Sequence, residues 1–181
     1  MNSYKTEGVV IKRMNIGEAG KLITLFTKDH GKVTVMAKGV RKLSSKRAGS
    51  LELFNLLKCQ IIKGKSQIDT LAEVQLLEAF SNWRKHLGRV TLAYQLCEVV
   101  DKLTPDHEPH PEIFNILTHA LGQIGTFGSD WEFQIANLKL QILVELGYWP
   151  QDKILDRDIN NLIEETSQRS FHSQKFLDKL K

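Results

Sequence analysis

The chain has 181 residues, 41% of them hydrophobic, with 25 Lys+Arg against 21 Asp+Glu for a net charge of +4. That is enough apolar material to bury a core, so global disorder is excluded, and the length suits one large domain or two small ones. Apolar runs of only a few residues fall far short of the ~20 a bilayer span requires. Met1 to Lys12 lacks the basic-then-apolar build of a signal peptide. Two cysteines, Cys59 and Cys97, each in an apolar segment, imply no disulfide framework and suit a reducing, cytoplasmic setting.

Charge is unevenly spread. Residues 1–80 hold 14 Lys+Arg against 7 Asp+Glu, a balance of +7, whereas residues 81–181 hold 11 against 14, a balance of −3. A basic half joined to a mildly acidic half suggests a polyanion-binding module attached to a part with a different kind of partner. Ordinary lysine solvation is the competing explanation.

The first part reads as β-structure. Tyr4 to Met14 contains the β-branched run Gly8-Val9-Val10-Ile11, and Asn15 to Gly20 reads as a loop. Leu22 to Thr27 alternates, with Leu22, Thr24 and Phe26 on one face and Ile23, Leu25 and Thr27 on the other. Lys28 to Lys32 is turn chemistry around Gly31, joining that strand to Val33–Ala37 as a hairpin. Strand pairing is expected to resume at Leu51–Phe54 and Leu56–Ile62, and Ile68–Val74 closes the series after the basic turn Lys63 to Ser66. Five strands in about 75 residues, each bounded by turn signals, predict a small closed barrel of the five-stranded OB type over residues 1–79.

From Trp83 the period changes to that of helices. Leu92, Leu96, Val99, Val100 and Leu103 form one stripe, and Thr104 to Pro109 ends it. Pro111 opens a second helix with the stripe Ile113, Phe114, Leu117, Leu121 and Ile124. Ser129 or Asp130 is placed to cap a third, Trp131 to Leu146, which is apolar on several sides and is expected to sit centrally. Gly147 suits the position just past its end, and Pro150 blocks re-entry. Asp158–Thr166 and Ser170–Leu180 read as two shorter helices, so residues 80–181 are expected to form an all-α domain, with the join near Leu76 to Trp83.

The residues best suited to a function lie between the third and fourth strands. Lys38 to Gly49 carries five cations (Lys38, Arg41, Lys42, Lys46 and Arg47), no acid, Ser44, Ser45 and two glycines. A phosphate backbone needs several cations on one surface, with hydroxyls and accessible N–H groups beside them. Lys12 and Lys21, with Arg13, Lys63 and Lys65, extend the basic surface, and a solvated loop is the plain alternative. Tyr4 and Phe26 are aromatics that could stack bases or simply fill a core. Asp106, His107, Glu108 and His110 form a compact group, more in keeping with a solvated turn than with a metal site. Gly17-Glu-Ala-Gly-Lys21 has too few residues between its glycines for a phosphate loop, and Leu22 stands where Ser or Thr is required. No catalytic constellation and no cofactor signature appear, so the chain reads as a non-enzyme.

Taken together, Tyr4-Lys-Thr-Glu-Gly-Val-Val-Ile-Lys, Gly17-Glu18 with Lys21-Leu22, Leu25-Phe26-Thr27 with His30-Gly31-Lys32, Ala37-Lys38-Gly39-Val40-Arg41-Lys42 with Ser45, Leu51-Glu52-Leu53-Phe54, Trp83-Arg84-Lys85, Ala93-Tyr94, Glu98 and Phe133 through Pro150 resemble the RecO family of bacterial recombination mediators. The resemblance covers most of residues 4–150 in one collinear order. It implies an OB barrel followed by a helical domain. It also implies binding of single- and double-stranded DNA, strand annealing, and help in loading RecA onto strands coated by single-strand-binding protein. RecR and the acidic, apolar tail of single-strand-binding protein are the implied partners. Arg89 or Lys139, among Arg84, Lys85 and Lys102, is the expected cation at the rim of a groove for that tail. Many members carry a cysteine-bound zinc after the Gly-Tyr-x-Pro segment; Gln151 to Asp156 has no cysteine, so a form lacking that module is expected. An OB-fold adaptor for protein or RNA, and more weakly a metal-dependent nuclease, are the alternatives.

Overall fold

The computed structural model describes residues 2–41, 47–64 and 68–168. Five strands, β1 (Ser3–Ile16), β2 (Gly20–Thr27), β3 (Gly31–Ala37), β4 (Leu56–Ile62) and β5 (Asp69–Glu78), close into a barrel in the order β1-β2-β3-β5-β4. The fold is therefore an OB-type barrel followed by helices. All neighbours are antiparallel except β3 and β5, which meet in parallel through Val35↔Asp69 and Met36↔Thr70. β1 is long because it serves two partners, β4 through Ser3–Val9 and β2 through Gly8–Ile16, with a bulge between Val10 and Lys12 where it turns between them. Ile23, Leu25, Val35, Leu57, Ile61 and Leu71 point inward and are buried.

Two local expectations give way. Asn15 and Ile16 are strand, not loop, because they pair with Lys21 and Gly20, leaving only Gly17 to Ala19 as the turn. Leu51–Phe54 is a turn rather than a strand. Phe54 takes a left-handed conformation (φ 71°), its N–H donates to the Val10 carbonyl at 2.8 Å, and the Val10 N–H donates to the Asn55 carbonyl at 3.0 Å. Leu51 joins the barrel core and Phe54 is buried. Apolar side chains two or three apart can fill a barrel end from a tight turn as well as from a strand.

The chain divides into two compact units. The first holds the described residues through Ala79 together with Asp106–Phe114; the second holds Phe80–Pro105 and the described residues from Asn115 onward. Asp106–Phe114, read from sequence with the helical part, packs with the barrel. The His107 N–H donates to the Lys32 carbonyl at 3.0 Å, and Lys32 Nζ lies 3.3 Å from the Asp106 carboxylate. The Phe26 and Phe114 rings sit 6.5 Å apart and both are buried. Phe26 belongs to the outer face of β2, so this strap covers the end of that face carrying Val9, Phe26 and Lys32, which are one cross-strand row.

The helices are α1 (Leu87–Leu103), α2 (Pro111–Gln123), α3 (Trp131–Glu145) and α4 (Ile159–Ser167), with 3-10 turns at Ser81–Trp83 and Ile124–Thr126; all belong to the second unit except the first turn of α2, Pro111–Phe114, which belongs to the first. The central helix is α1, not α3. Ten residues of α1 are buried, whereas α3 buries Ile135, Lys139, Ile142 and Leu143 and leaves Phe133 67% exposed. Apolar residues spread round α3 cannot all face one neighbour, while the α1 stripe can. Asp130 precedes α3 without capping its backbone; its carboxylate accepts from Gln134 Nε2 at 2.8 Å. Gly147 (φ 75°) ends α3, and the Gly147 and Tyr148 N–H groups donate back to the Val144 and Leu143 carbonyls. Asp158 caps α4 through the N–H groups of Asn160 and Asn161, both at 2.9 Å. The helix expected at Ser170–Leu180 lies outside the described residues.

Gly31 sets how closely the strap approaches. Its φ is +64°, and a Cβ there would stand 2.1 Å from the Glu108 carbonyl oxygen. Gly39 has φ +70° with open space around it. Gly31→Ala is expected to destabilise the barrel by about 3 kcal/mol or more, combining left-handed strain with a backbone clash. Gly39→Ala should cost about 1 kcal/mol from strain alone. Urea denaturation of both variants checks the difference.

Candidate nucleic-acid interface

Topology decides which cations meet. β1 ends and β2 begins at Gly17–Ala19, and β3 ends at Ala37 beside Lys21, its register partner. The connection leaving β3 therefore starts at the same barrel end as the β1–β2 turn. Two hydrogen bonds tie them together: the Arg41 N–H donates to the Ala19 carbonyl at 3.1 Å, and Arg41 Nη1 to the Gly17 carbonyl at 2.9 Å. Lys38 and Arg41 are exposed and Lys21 is half-exposed, so this end presents three of the expected cations.

Arg47 does different work. Its guanidinium donates to the carbonyls of Lys38 at 3.0 Å, Ala72 at 3.2 Å and Leu71 at 3.4 Å, joining both ends of the basic connection to β5. A planar guanidinium reaches several carbonyls at once; its role here is to hold the loop. Lys12 is exposed on β1 and pairs in register with Thr24, whereas Lys21 lies an odd number of residues away on β2, so the two project to opposite faces of the sheet. Arg13 forms an ion pair with Glu52 at 2.5 Å, both partly exposed, which is worth little to stability but offsets the arginine's charge. Lys42, Lys46, Ser44, Ser45 and Lys65 lie outside the described residues.

The aromatic candidates separate. Phe26 is core. Tyr4 lies toward the opposite barrel end, beside a cavity of about 420 Å³ lined among others by Asp29, His30, Lys63, Asp69 and His107. Its hydroxyl lies 3.5 Å from the Asp69 carboxylate and its ring 4.2 Å from that of His30; burial and the neighbouring Asp69 push its pKa up to about 12. Asp106, His107, Glu108 and His110 belong to the strap, and among the described residues no group of three or more His, Cys, Asp or Glu is arranged to hold a metal. Cys59 and Cys97 are buried free thiols, each held protonated by burial.

Sequence reasoning missed the outer face of β1–β2–β3. Beyond the strap-covered row, Lys12, Thr24 and Thr34 align across the three strands, and then Met14, Leu22 and Met36. The signal was present as apolar residues at intervals of two, but reading Asn15 and Ile16 as loop cut the face short.

The two proposed rim cations are not at a rim. Arg89 donates through Nη2 to the Phe127 carbonyl, and its Nη1 is buried. Lys139 is 2% exposed, and its Nζ donates to Gln95 Oε1 of α1 at 2.6 Å and Asn160 Oδ1 of α4 at 2.7 Å, tying three helices together. A long flexible side chain reaches inward here because two amide oxygens replace its hydration.

Two family models match, Recombination protein O N terminal over residues 1–80 and Recombination protein O C terminal over residues 84–153. The chain belongs to the recombination protein O family. It is 31% identical over 150 residues to the DNA repair protein RecO of Pelotomaculum thermopropionicum, covering 83% of this chain and 57% of the relative. To the DNA repair protein RecO of Symbiobacterium thermophilum it is 32% identical over 150 residues, covering 83% of this chain and 59% of the relative. That of Myxococcus xanthus is 33% identical over 124 residues, covering 68% and 51%. The chain thus spans less than two thirds of the length of these RecO relatives. No helix among the described residues is long and apolar enough to cross a membrane.

Burial lowers the Lys139 pKa from an ordinary 10.5 to about 8, with Asp158 and Glu98 opposing the shift and Lys102 adding to it. The unfolded chain therefore binds more protons between pH 8 and 10.5, and this group's contribution to stability rises with pH across that window. We expect the stability of the native chain relative to Lys139→Met to increase by on the order of 1–3 kcal/mol from pH 8 to 10.5, a difference in which the thiol titrations common to both chains cancel. Urea midpoints at both pH values measure it; a constant difference would show that Lys139 does not titrate there.

Proposed function

We propose that this chain is a DNA repair and recombination mediator that grips single- and double-stranded DNA at the barrel end bearing Lys21, Lys38 and Arg41. In this reading it anneals complementary strands and assists RecA loading on strands coated by single-strand-binding protein, without catalysing a reaction and within the cytoplasm. The observation that carries the reading is the convergence of those three cations, with Arg41 fastened to the β1–β2 turn. Cations supplied by two separate segments and set on one end of a rigid barrel can follow a phosphate backbone, whereas scattered surface charges cannot. Neutralisation is avoided at Arg41 because its hydrogen bonds go to carbonyl oxygens rather than carboxylates. Membership of the recombination protein O family agrees with this chemistry.

RecR and the acidic tail of single-strand-binding protein complete the proposal as partners. With Arg89 and Lys139 turned inward, the support for a tail-binding rim shifts to Lys85, which is exposed, and Arg84, whose guanidinium lies 5.4 Å from the Trp83 ring centroid.

Replacing Lys38 and Arg41 together by alanine should weaken binding to a single-stranded oligonucleotide about tenfold or more at moderate salt. It should also flatten the dependence of log affinity on log salt by about 1.4, the loss of two phosphate contacts. Fluorescence anisotropy titrations at several salt concentrations read both quantities. An unaltered slope would remove these residues from the interface, and unimpaired capture of a protein or RNA partner without any DNA binding would favour an adaptor.

A further inference from the structure

The barrel mouth at the pole opposite the basic connection holds the cavity of about 420 Å³. Small-molecule sites commonly run ~300–1,000 Å³, and barrel mouths are a usual place for them. Alternation along β1 builds this one: Tyr4 and Thr6 share the inward side of the strand, and Tyr4 packs against the barrel core. On one flank the Thr6 hydroxyl donates to Asp29 Oδ2, in the β2–β3 turn, at 3.4 Å. On the other the Lys63 N–H donates to the Asn2 carbonyl at 2.9 Å. Asp29 and Lys63 are thereby held about four strand residues apart, ~13 Å of backbone, with Tyr4 between them. The Tyr4 ring lies 4.2 Å from the His30 ring, and Lys63 Nζ stands 5.9 Å from the Tyr4 centroid. Two carboxylates line the cavity, and they are differently engaged. Asp69 accepts from the Tyr4 hydroxyl at 3.5 Å and the Gly64 N–H at 3.1 Å, which fixes the floor and the β4–β5 turn. Asp29 has the Thr6 hydroxyl as its sole hydrogen-bond donor among the described residues, and Lys63 forms no ion pair among them.

We propose that the barrel mouth binds one guanine mononucleotide, with its base against Tyr4 and His30, its donor edge on Asp29 and its phosphate on Lys63. A carboxylate with open acceptor positions at one end calls for N–H donors. An unpaired ammonium at the other end calls for an anion, and the rings between them call for a flat apolar surface. An amino acid carries its two charges on one carbon and does not span the two ends; a mononucleotide separates its phosphate from its base edge by a sugar and a ring. Guanine presents two adjacent N–H donors on one edge, which suit the two oxygens of a carboxylate, whereas thymine presents one N–H between two carbonyls that a carboxylate repels. A free nucleotide and the 5′-phosphorylated end of a strand offer this same chemistry. The site shares no residue with the pole of Lys21, Lys38 and Arg41, and it goes beyond the strand grip proposed there.

Calorimetric titration of the full chain with dGMP should saturate, and TMP should bind about tenfold more weakly. Asp29→Asn should weaken dGMP about tenfold and leave TMP unchanged, erasing the preference. A parallel fall for TMP would remove Asp29 from base recognition and overturn the assignment. Lys63→Ala should weaken both nucleotides alike and erase the advantage of dGMP over deoxyguanosine. Asp29 and Lys63 are exposed, so neither variant threatens the fold. Lys38→Ala with Arg41→Ala should leave dGMP affinity unaltered; a loss there would move the nucleotide to the basic pole and overturn the inference. Absence of saturable dGMP binding, or binding that neither Asp29→Asn nor Lys63→Ala alters, overturns it as well and leaves the strand-binding reading standing. An oligonucleotide ending in 5′-phosphoguanosine, titrated into the dGMP complex of the Lys38 and Arg41 double variant, distinguishes the sources. Displacement of dGMP assigns the site to a strand end and no displacement to the free nucleotide, and both outcomes support the site.

Discussion

The short parallel ladder between β3 and β5 closes the barrel, and closure governs what each loop can do. Once the sheet closes, inward positions must be filled by apolar side chains and outward positions become surface, row by row, at a period of two. Each strand end also acquires a fixed pole. The β1–β2 turn and the basic connection share one pole; Tyr4, the β2–β3 turn and Lys63 share the other. Cations separated by about twenty residues in sequence become neighbours for that reason alone.

Two anchors keep the basic connection at its pole. Arg41 ties its start to the β1–β2 turn, and Arg47 ties its far side to β5 and back to Lys38. Both anchors use carbonyl oxygens as acceptors, which leaves the positive charge of Arg41 and Arg47 in place while fixing where each guanidinium sits. The same chemistry, applied to a buried amine, gives the opposite outcome in the helical unit. Lys139 is surrounded by amide oxygens and low-dielectric packing, and its charge holds three helices instead of facing a ligand.

The strap Asp106–Phe114 divides the outer sheet face between structure and surface. Where Phe114 meets Phe26 the face is core; beyond the reach of the strap it is open, and the Met14–Leu22–Met36 row is left to solvent. Gly31 permits this arrangement, since any side chain at that position would push the strap off the sheet. Covering one end and exposing the other turns a uniform alternating pattern into a surface with a boundary.

Alternation in Leu22–Thr27, the turn chemistry at Gly31, the stripe of α1, Pro111 at the start of α2 and Gly147 past the end of α3 were all legible in the chain, because each is a local preference of backbone and burial period. The basic connection was equally visible as composition. What the chain order could not convey was partnership at a distance: that Leu51 and Phe54 plug the barrel from a turn, that Arg47 is spent on carbonyls, that Lys139 points inward, and that α1 rather than α3 is central. Those outcomes depend on which surfaces meet after closure and packing, and a residue's charge or hydrophobicity by itself does not say which neighbour it will face.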